Sequence, residues 1–268
     1  MRSALSMLLA LCALLSGAAS AQTAAAPAAA APAAAAPSTV AQPVVAPAPA
    51  APDHVLIVGG TRRTGLEIVK LLLARGQAVT VMARPSSDTS AIEQLGVPIV
   101  RADALDTARV KAAFAGGRFR AVISTLGASR SDKKPPDFEG NRNVIDAAKD
   151  AGVRRFLLVS TIGAGSSSDT ASVAAKLMYG NVMTLKTQAE EYLAASGLDY
   201  TVIRPGGLLD KEASGKAVLS EDPATFSLIA RADLAQLLVD ALDDRKTIGR
   251  TYSAYDETRE GFWARWRE

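Results

Sequence analysis

The chain has 268 residues, 49% of them apolar, with 30 basic against 27 acidic side chains and a net charge of +3. The two signs are interspersed, so nothing in the charge pattern marks a nucleic-acid surface. A single cysteine, Cys12, and a single histidine, His54, exclude a disulfide, a cysteine- or histidine-built metal centre and serine–histidine catalysis.

Residues 1–21 open on Arg2, run apolar from Leu5 to about Leu15 and close on Ala19-Ser20-Ala21. That is the pattern of a cleaved secretory signal. Its apolar run falls short of the roughly 20 residues a spanning helix needs, so no stable membrane span is expected. Residues 22–52 are almost all Ala and Pro and carry no charge, which predicts a disordered, partly polyproline spacer. One folded domain is expected over residues 53–268. Export to a bacterial periplasm follows, by the unfolded route because no twin-arginine pair precedes the apolar run. A cytoplasmic form is the alternative if the start is misassigned.

After the spacer, elements alternate. Val55, Leu56, Ile57 and Val58 form a continuous apolar run, expected of a parallel strand buried on both faces. Residues 64–75 read as a helix with Leu66, Val69, Leu72 and Leu73 on one face, ended by Gly76. Strands are predicted at 78–83, 97–100, 121–124, 156–160, 200–204 and 251–255. Helices are predicted at 91–95, 107–114, 140–151, 173–195 and 231–242. Strand–helix alternation with short connections predicts an α/β, doubly wound parallel sheet of the Rossmann type in a single domain.

Directly after the first strand stands Gly59-Gly60-Thr61-Arg62-Arg63-Thr64-Gly65. A glycine-rich turn between a strand and a helix lets backbone amides and the helix dipole face a pyrophosphate. Gly59 allows the tight turn and close backbone approach, and Gly65 lets the helix pack on the strand. At the end of the second strand, where an acidic side chain would hold a ribose 2′-hydroxyl, the chain places Arg84. Its planar charged fork suits a 2′-phosphate, with Arg62 and Arg63 in reach of the same corner, so NADP(H) is expected in preference to NAD(H). All three arginines reading as solvated surface is the alternative.

These residues resemble the atypical short-chain dehydrogenase/reductase family, in its branch of small NAD(P)-binding, flavin-reductase-like and NmrA-like proteins. Arg62 stands where that family's loop has its middle glycine. The resemblance implies that Asp103, in Arg101-Ala102-Asp103, contacts the adenine. It implies that Ser124-Thr125-Leu126-Gly127 passes beneath the cofactor. Asp137, Gly140 and Asn143 resemble the helix leading to strand five. The string from Lys186 through Ala189, Glu190 and Ser196-Gly197 to Arg204-Pro205-Gly206 resembles the family's lysine helix, sixth strand and the loop near the nicotinamide.

Short-chain reductases pair a tyrosine with a lysine one helical turn later, and here Val182 holds the tyrosine's place before Lys186. Tyr179 lies two turns from Lys186 on the same helix face, either leaning into the site or packing structurally. Lys186 is expected to position the nicotinamide ribose, the alternative being a solvated surface lysine. Ser160, at the carboxyl end of strand five, is expected to orient a substrate oxygen or to be an ordinary strand-end serine. A delocalised acceptor stabilises its own anion, so its reduction asks mainly for positioning. The expected function is therefore NADPH-dependent reduction of a conjugated small-molecule acceptor, flavin-, quinone- or tetrapyrrole-like. A non-catalytic NADP(H)-binding module and an epimerase of the extended branch are the alternatives.

Overall fold

The computed structural model describes residues 54–128 and 132–259. The expected signal segment, the spacer and Asp53 lie outside the described residues.

The predicted order of elements is the observed one, from β1 (His54–Val58), α1 (Arg63–Ala74), β2 (Val79–Ala83), α2 (Ser90–Gln94) and β3 (Ile99–Arg101) onward. It continues through α3 (Thr107–Ala115), β4 (Phe119–Ser124), α4 (Glu139–Asp150), β5 (Arg155–Val159), α5 (Val173–Ala194) and β6 (Asp199–Pro205). Three short strands then intervene, β7 (Gly207–Leu209), β8 (Ala217–Ser220) and β9 (Leu228–Ala230), before α6 (Arg231–Asp243) and β10 (Arg250–Asp256). The main sheet has eight strands in the order β3-β2-β1-β4-β5-β6-β10-β8, parallel throughout except for the antiparallel pairing of β8 with β10. β7 and β9 pair in parallel as a separate two-stranded sheet.

The continuous apolar runs behave as expected of strands covered on both faces. Leu56 and Val58 point to one layer with residues of α3, α4 and α5; Val55 and Ile57 point to the other with residues of α1 and α6. In α1 the buried face is Ile68, Val69 and Leu72, while Leu66 and Leu73 are only partly buried, a rotation of the expected stripe by less than one residue step. Gly76 follows α1 with φ 70°, the left-handed stop its position predicted. No helix among the described residues is long and apolar enough to cross a membrane.

At the amino ends of β5 and β6 the chain is tied together by Arg155. Its guanidinium donates to the carbonyls of Leu242 (3.1 Å), Asp199 (2.8 Å) and Ala241 (2.6 Å) and to Thr247 Oγ1 (2.8 Å). Burial pushes its pKa down to about 10, still well above neutrality, so the charge persists where α6 presents its last carbonyls. With that end fastened, the opposite, carboxyl end of the sheet is left for the site.

Candidate functional site

The strand order reverses between β1 and β4, and the loops leaving these two neighbours meet. Gly59 sits at φ 85° against Thr125, whose hydroxyl donates to the carbonyls of Val58 (3.1 Å) and Gly59 (3.2 Å). A Cβ on Gly59 would lie 2.8 Å from Thr125 Oγ1, and one on Gly65 would lie 2.4 Å from the Gly59 carbonyl oxygen. The glycines therefore let α1 begin in contact with the loop. No side chain caps α1 at Arg62, and no acidic residue stands in its first turn, which leaves the first amides to an external anion. Arg63 takes φ 53°, a left-handed conformation that costs a non-glycine residue on the order of 1 kcal/mol and is tolerated at a functional turn. This is the strained position of the loop, one residue beyond the missing middle glycine.

A cleft opens over this turn. Its walls include Gly59, Thr61 and Arg62 from the loop, Arg84 and Ser87 beyond β2, Asp103 beyond β3, Thr125, Leu126 and Gly127 beyond β4, and Lys134. Of the expected cofactor residues, Gly60, Thr64, Gly65 and Ser124 support it from behind: Gly60 backs onto Val81 and Ile57, and Ser124 Oγ donates to Asn141 Oδ1 at 2.6 Å. Arg63 is exposed and does not line the cleft. Arg84 Nη1 donates to Asp132 Oδ1 at 2.7 Å, and Asp103 Oδ1 accepts from the Leu105 amide at 2.9 Å. Lys134 pairs with Glu139 and holds that carboxyl below the usual carboxylate range. The glycine cradle and the uncapped helix start fit the pyrophosphate of a nicotinamide dinucleotide, and Arg62 and Arg84 both line the cleft.

The other expected residues fall into different surroundings. Lys186 is buried. Its ammonium donates to the carbonyls of Leu126 (3.0 Å) and Val159 (3.2 Å) and stands 3.2 Å from Asp137 Oδ1, an ion-pair contact outside hydrogen-bond geometry. It reaches the cleft through Leu126, which belongs to the wall. Ser160 is buried and donates to Glu190 Oε1. Glu190 is in turn gripped by Arg204, Nε to Oε1 at 3.0 Å and Nη2 to Oε2 at 2.5 Å, while Arg204 Nη1 donates to Ser166 Oγ at 2.8 Å. Tyr179 is 55% exposed on a turn of α5 it shares with the exposed Leu177 and Met178, so it neither lines the cleft nor packs as a buried tyrosine. The Pro205 carbonyl accepts from the Ile162 amide at 3.0 Å, and Gly206 lies so close to the Ser227 carbonyl that a Cβ would come within 2.0 Å of it. Asn141 was not singled out in the sequence, and Asp137, Glu190 and Arg204 were named there only within family-like strings, with no partner given for any of them. Lys186 and Glu190, one turn apart on the face that also carries Ala189 and Leu193, were the available signal.

A model of an NAD(P)H-binding family matches residues 59–245 of the chain. The structure of ChuY, an anaerobillin reductase from Escherichia coli O157:H7, superposes with a TM-score of 0.69 at 33% identity, covering 76% of this chain and 97% of that one. The uncharacterized sugar epimerase YhfK of Bacillus subtilis is 30% identical over 203 residues, 74% of this chain and 92% of that protein. Sanguinarine reductase of Eschscholzia californica is 39% identical over 111 residues, 40% of either chain.

Proposed function

The chain belongs to the atypical short-chain dehydrogenase/reductase family, in its small NAD(P)H-binding, NmrA-like branch, and from that premise we propose that it is an NADPH-dependent reductase of a conjugated, flavin-, quinone- or tetrapyrrole-like acceptor. One observation carries this reading: a dinucleotide cradle stands beside a buried Lys186 with Val182, not a phenol, one turn before it, and with Tyr179 turned to solvent. A reduced nicotinamide held by these residues would supply a hydride, and a delocalised acceptor would need no acid from the protein because water can protonate it. The protein's residues then have positioning to do: the loop of Gly59 and the amides of α1 hold the pyrophosphate, and residues 125–127 support the cofactor from below. Arg84, with Arg62 beside it in the cleft wall, takes the 2′-phosphate. Two relatives bear reductase names, which supports a redox reaction. The name of YhfK speaks for epimerisation, but residues 207–230 form only three short strands between β6 and α6, little room for a substrate domain.

Val182 also favours a second reading, a module that binds NADP(H) without turnover. Sustained NADPH oxidation by the purified protein in the presence of flavins, quinones or linear tetrapyrroles is the expected result. Binding without oxidation across that panel would leave the second reading standing and remove the first. In the same assay Arg84→Asp is expected to weaken NADPH binding about 10–100-fold, the cost of losing charge-assisted hydrogen bonds to the 2′-phosphate, while NADH binding changes little. Equal losses for both cofactors would defeat the NADP assignment.

The finer proposal on location is export to a bacterial periplasm, supported by the signal-like residues 1–21 and the uncharged spacer behind them. A mature chain beginning at Gln22 and recovered outside the cytoplasm is expected from fractionation with amino-terminal sequencing. An intact cytoplasmic chain would refute it.

A further inference from the structure

The Lys186 ammonium donates to two acceptors, the Leu126 and Val159 carbonyls, and the Asp137 carboxylate stands against it in ion-pair contact. Asp137 is fully buried. Its Oδ2 accepts from the Ala128 amide at 2.9 Å, its Oδ1 faces Lys186, and its own carbonyl accepts from Asn141 Nδ2 at 2.6 Å. The two charges of one buried pair therefore hold the peptide units on either side of Gly127, Lys186 from the carbonyl before it and Asp137 from the amide after it. Gly127 lies over the carboxylate, a Cβ there falling 3.8 Å from Asp137 Oδ1. Thr125, Leu126 and Gly127 line the cleft.

We infer that Asp137 is a positioning residue for the cofactor: acting through Lys186 and the Ala128 amide, it sets the shape of the loop on which the dinucleotide rests. Lys186 then serves binding chiefly by what it does to Leu126. The inference rests on the dinucleotide reading of the cleft and is independent of the acceptor.

The test uses the full chain, with Asp137→Asn, Lys186→Met and the double variant, and two readouts: NADPH affinity by fluorescence titration and the thermal midpoint. Each single variant leaves one buried charge without its partner, so each is expected to lower the midpoint and to weaken NADPH binding at least about tenfold. The double variant leaves no uncompensated charge and is expected to regain most of the midpoint. Its NADPH binding is expected to stay at least about tenfold weak, because the Leu126 carbonyl has lost its donor. A double variant that regains both midpoint and affinity would reduce the pair to a fold stabiliser and overturn the inference, as would single variants that bind like wild type. Wild-type protein that binds neither NADPH nor NADH would instead overturn the reading of the cleft itself, and the inference with it.

Discussion

Arg204→Met is expected to destabilise the folded chain by about 3–5 kcal/mol, the cost of leaving a buried carboxylate without its cation. Glu190 and Arg204 are 6% and 5% exposed, and their two-pronged contact is closed in by Gly165 at φ 50°. A Cβ on Gly165 would fall 2.2 Å from Arg204 Nη2, so the backbone of the loop after β5 rests directly on the guanidinium. Water has no ready path to solvate Glu190 once the arginine is gone. The Ser166 hydroxyl loses its donor in the same step, and among the described residues Ser160 is left as the one side-chain hydroxyl bonded to the stranded carboxylate. Urea unfolding measures the effect: the midpoint should fall sharply, and the double variant Arg204→Met/Glu190→Met should recover most of the loss, since neither charge remains to be desolvated. A single-variant loss below about 1 kcal/mol would mean the pair behaves as a solvated surface contact.

The second large effect is expected at the phosphate loop. Gly65→Val places a branched side chain where even a Cβ meets the Gly59 carbonyl oxygen at 2.4 Å and the Gly60 Cα at 2.8 Å. Both obstacles are backbone, so neither can rotate away, and the loop must lift from the start of α1. Binding of NADPH and NADH is expected to fall together by about 100-fold or more, as a misplacement of this kind removes several amide–phosphate contacts, each worth ~1.5–3 kcal/mol. Gly180 supplies the control. It lies within α5 with no atom near a built Cβ, so Gly180→Ala should leave affinity unchanged and raise stability by about 0.5–1 kcal/mol. Isothermal titration of both variants checks the pair; cofactor affinity retained in Gly65→Val would show that the cradle does not depend on this contact.

The alternation of elements was legible because its signals are local. A four-residue apolar run such as Val55–Val58 of β1, a twelve-residue amphipathic helix such as α1 and a left-handed glycine after it each announce themselves within one window. The glycine loop was legible for the same reason, being a single turn whose context lies on either side of it. β7, β8 and β9 were not. They are three or four residues long and mostly half-buried, so neither alternation nor a continuous apolar run has room to form. The partners of the expected site residues were hidden for a different reason. Lys186 meets Asp137 and Arg204 meets Glu190 only because the sheet brings β4, β5, β6 and α5 together. Sequence spacing made Lys186 a candidate but gave no account of the acceptors around its ammonium, and Ser160 came without the carboxylate that holds its hydroxyl.

The sheet also determines how the molecule meets its own kind. A strand at the rim of a sheet offers unpaired amides and carbonyls to any extended segment that drifts past, and a long apolar rim recruits other chains. Here the outermost strands of the main sheet are β3, three residues long, and β8, four residues long, while the apolar β1, β4 and β5 lie between neighbours. β3 ends on the exposed Arg101, whose guanidinium donates to the Ser87 carbonyl at 3.1 Å and to Thr89 Oγ1 at 2.5 Å, so a fixed positive charge sits at that border. β8 runs against the direction of the other strands and stops at the Glu221–Arg250 ion pair, 2.8 Å apart. Among the described residues, the apolar strands of the main sheet are thus shut away behind brief, charged margins, and that sheet presents few places where one copy's backbone can extend another's.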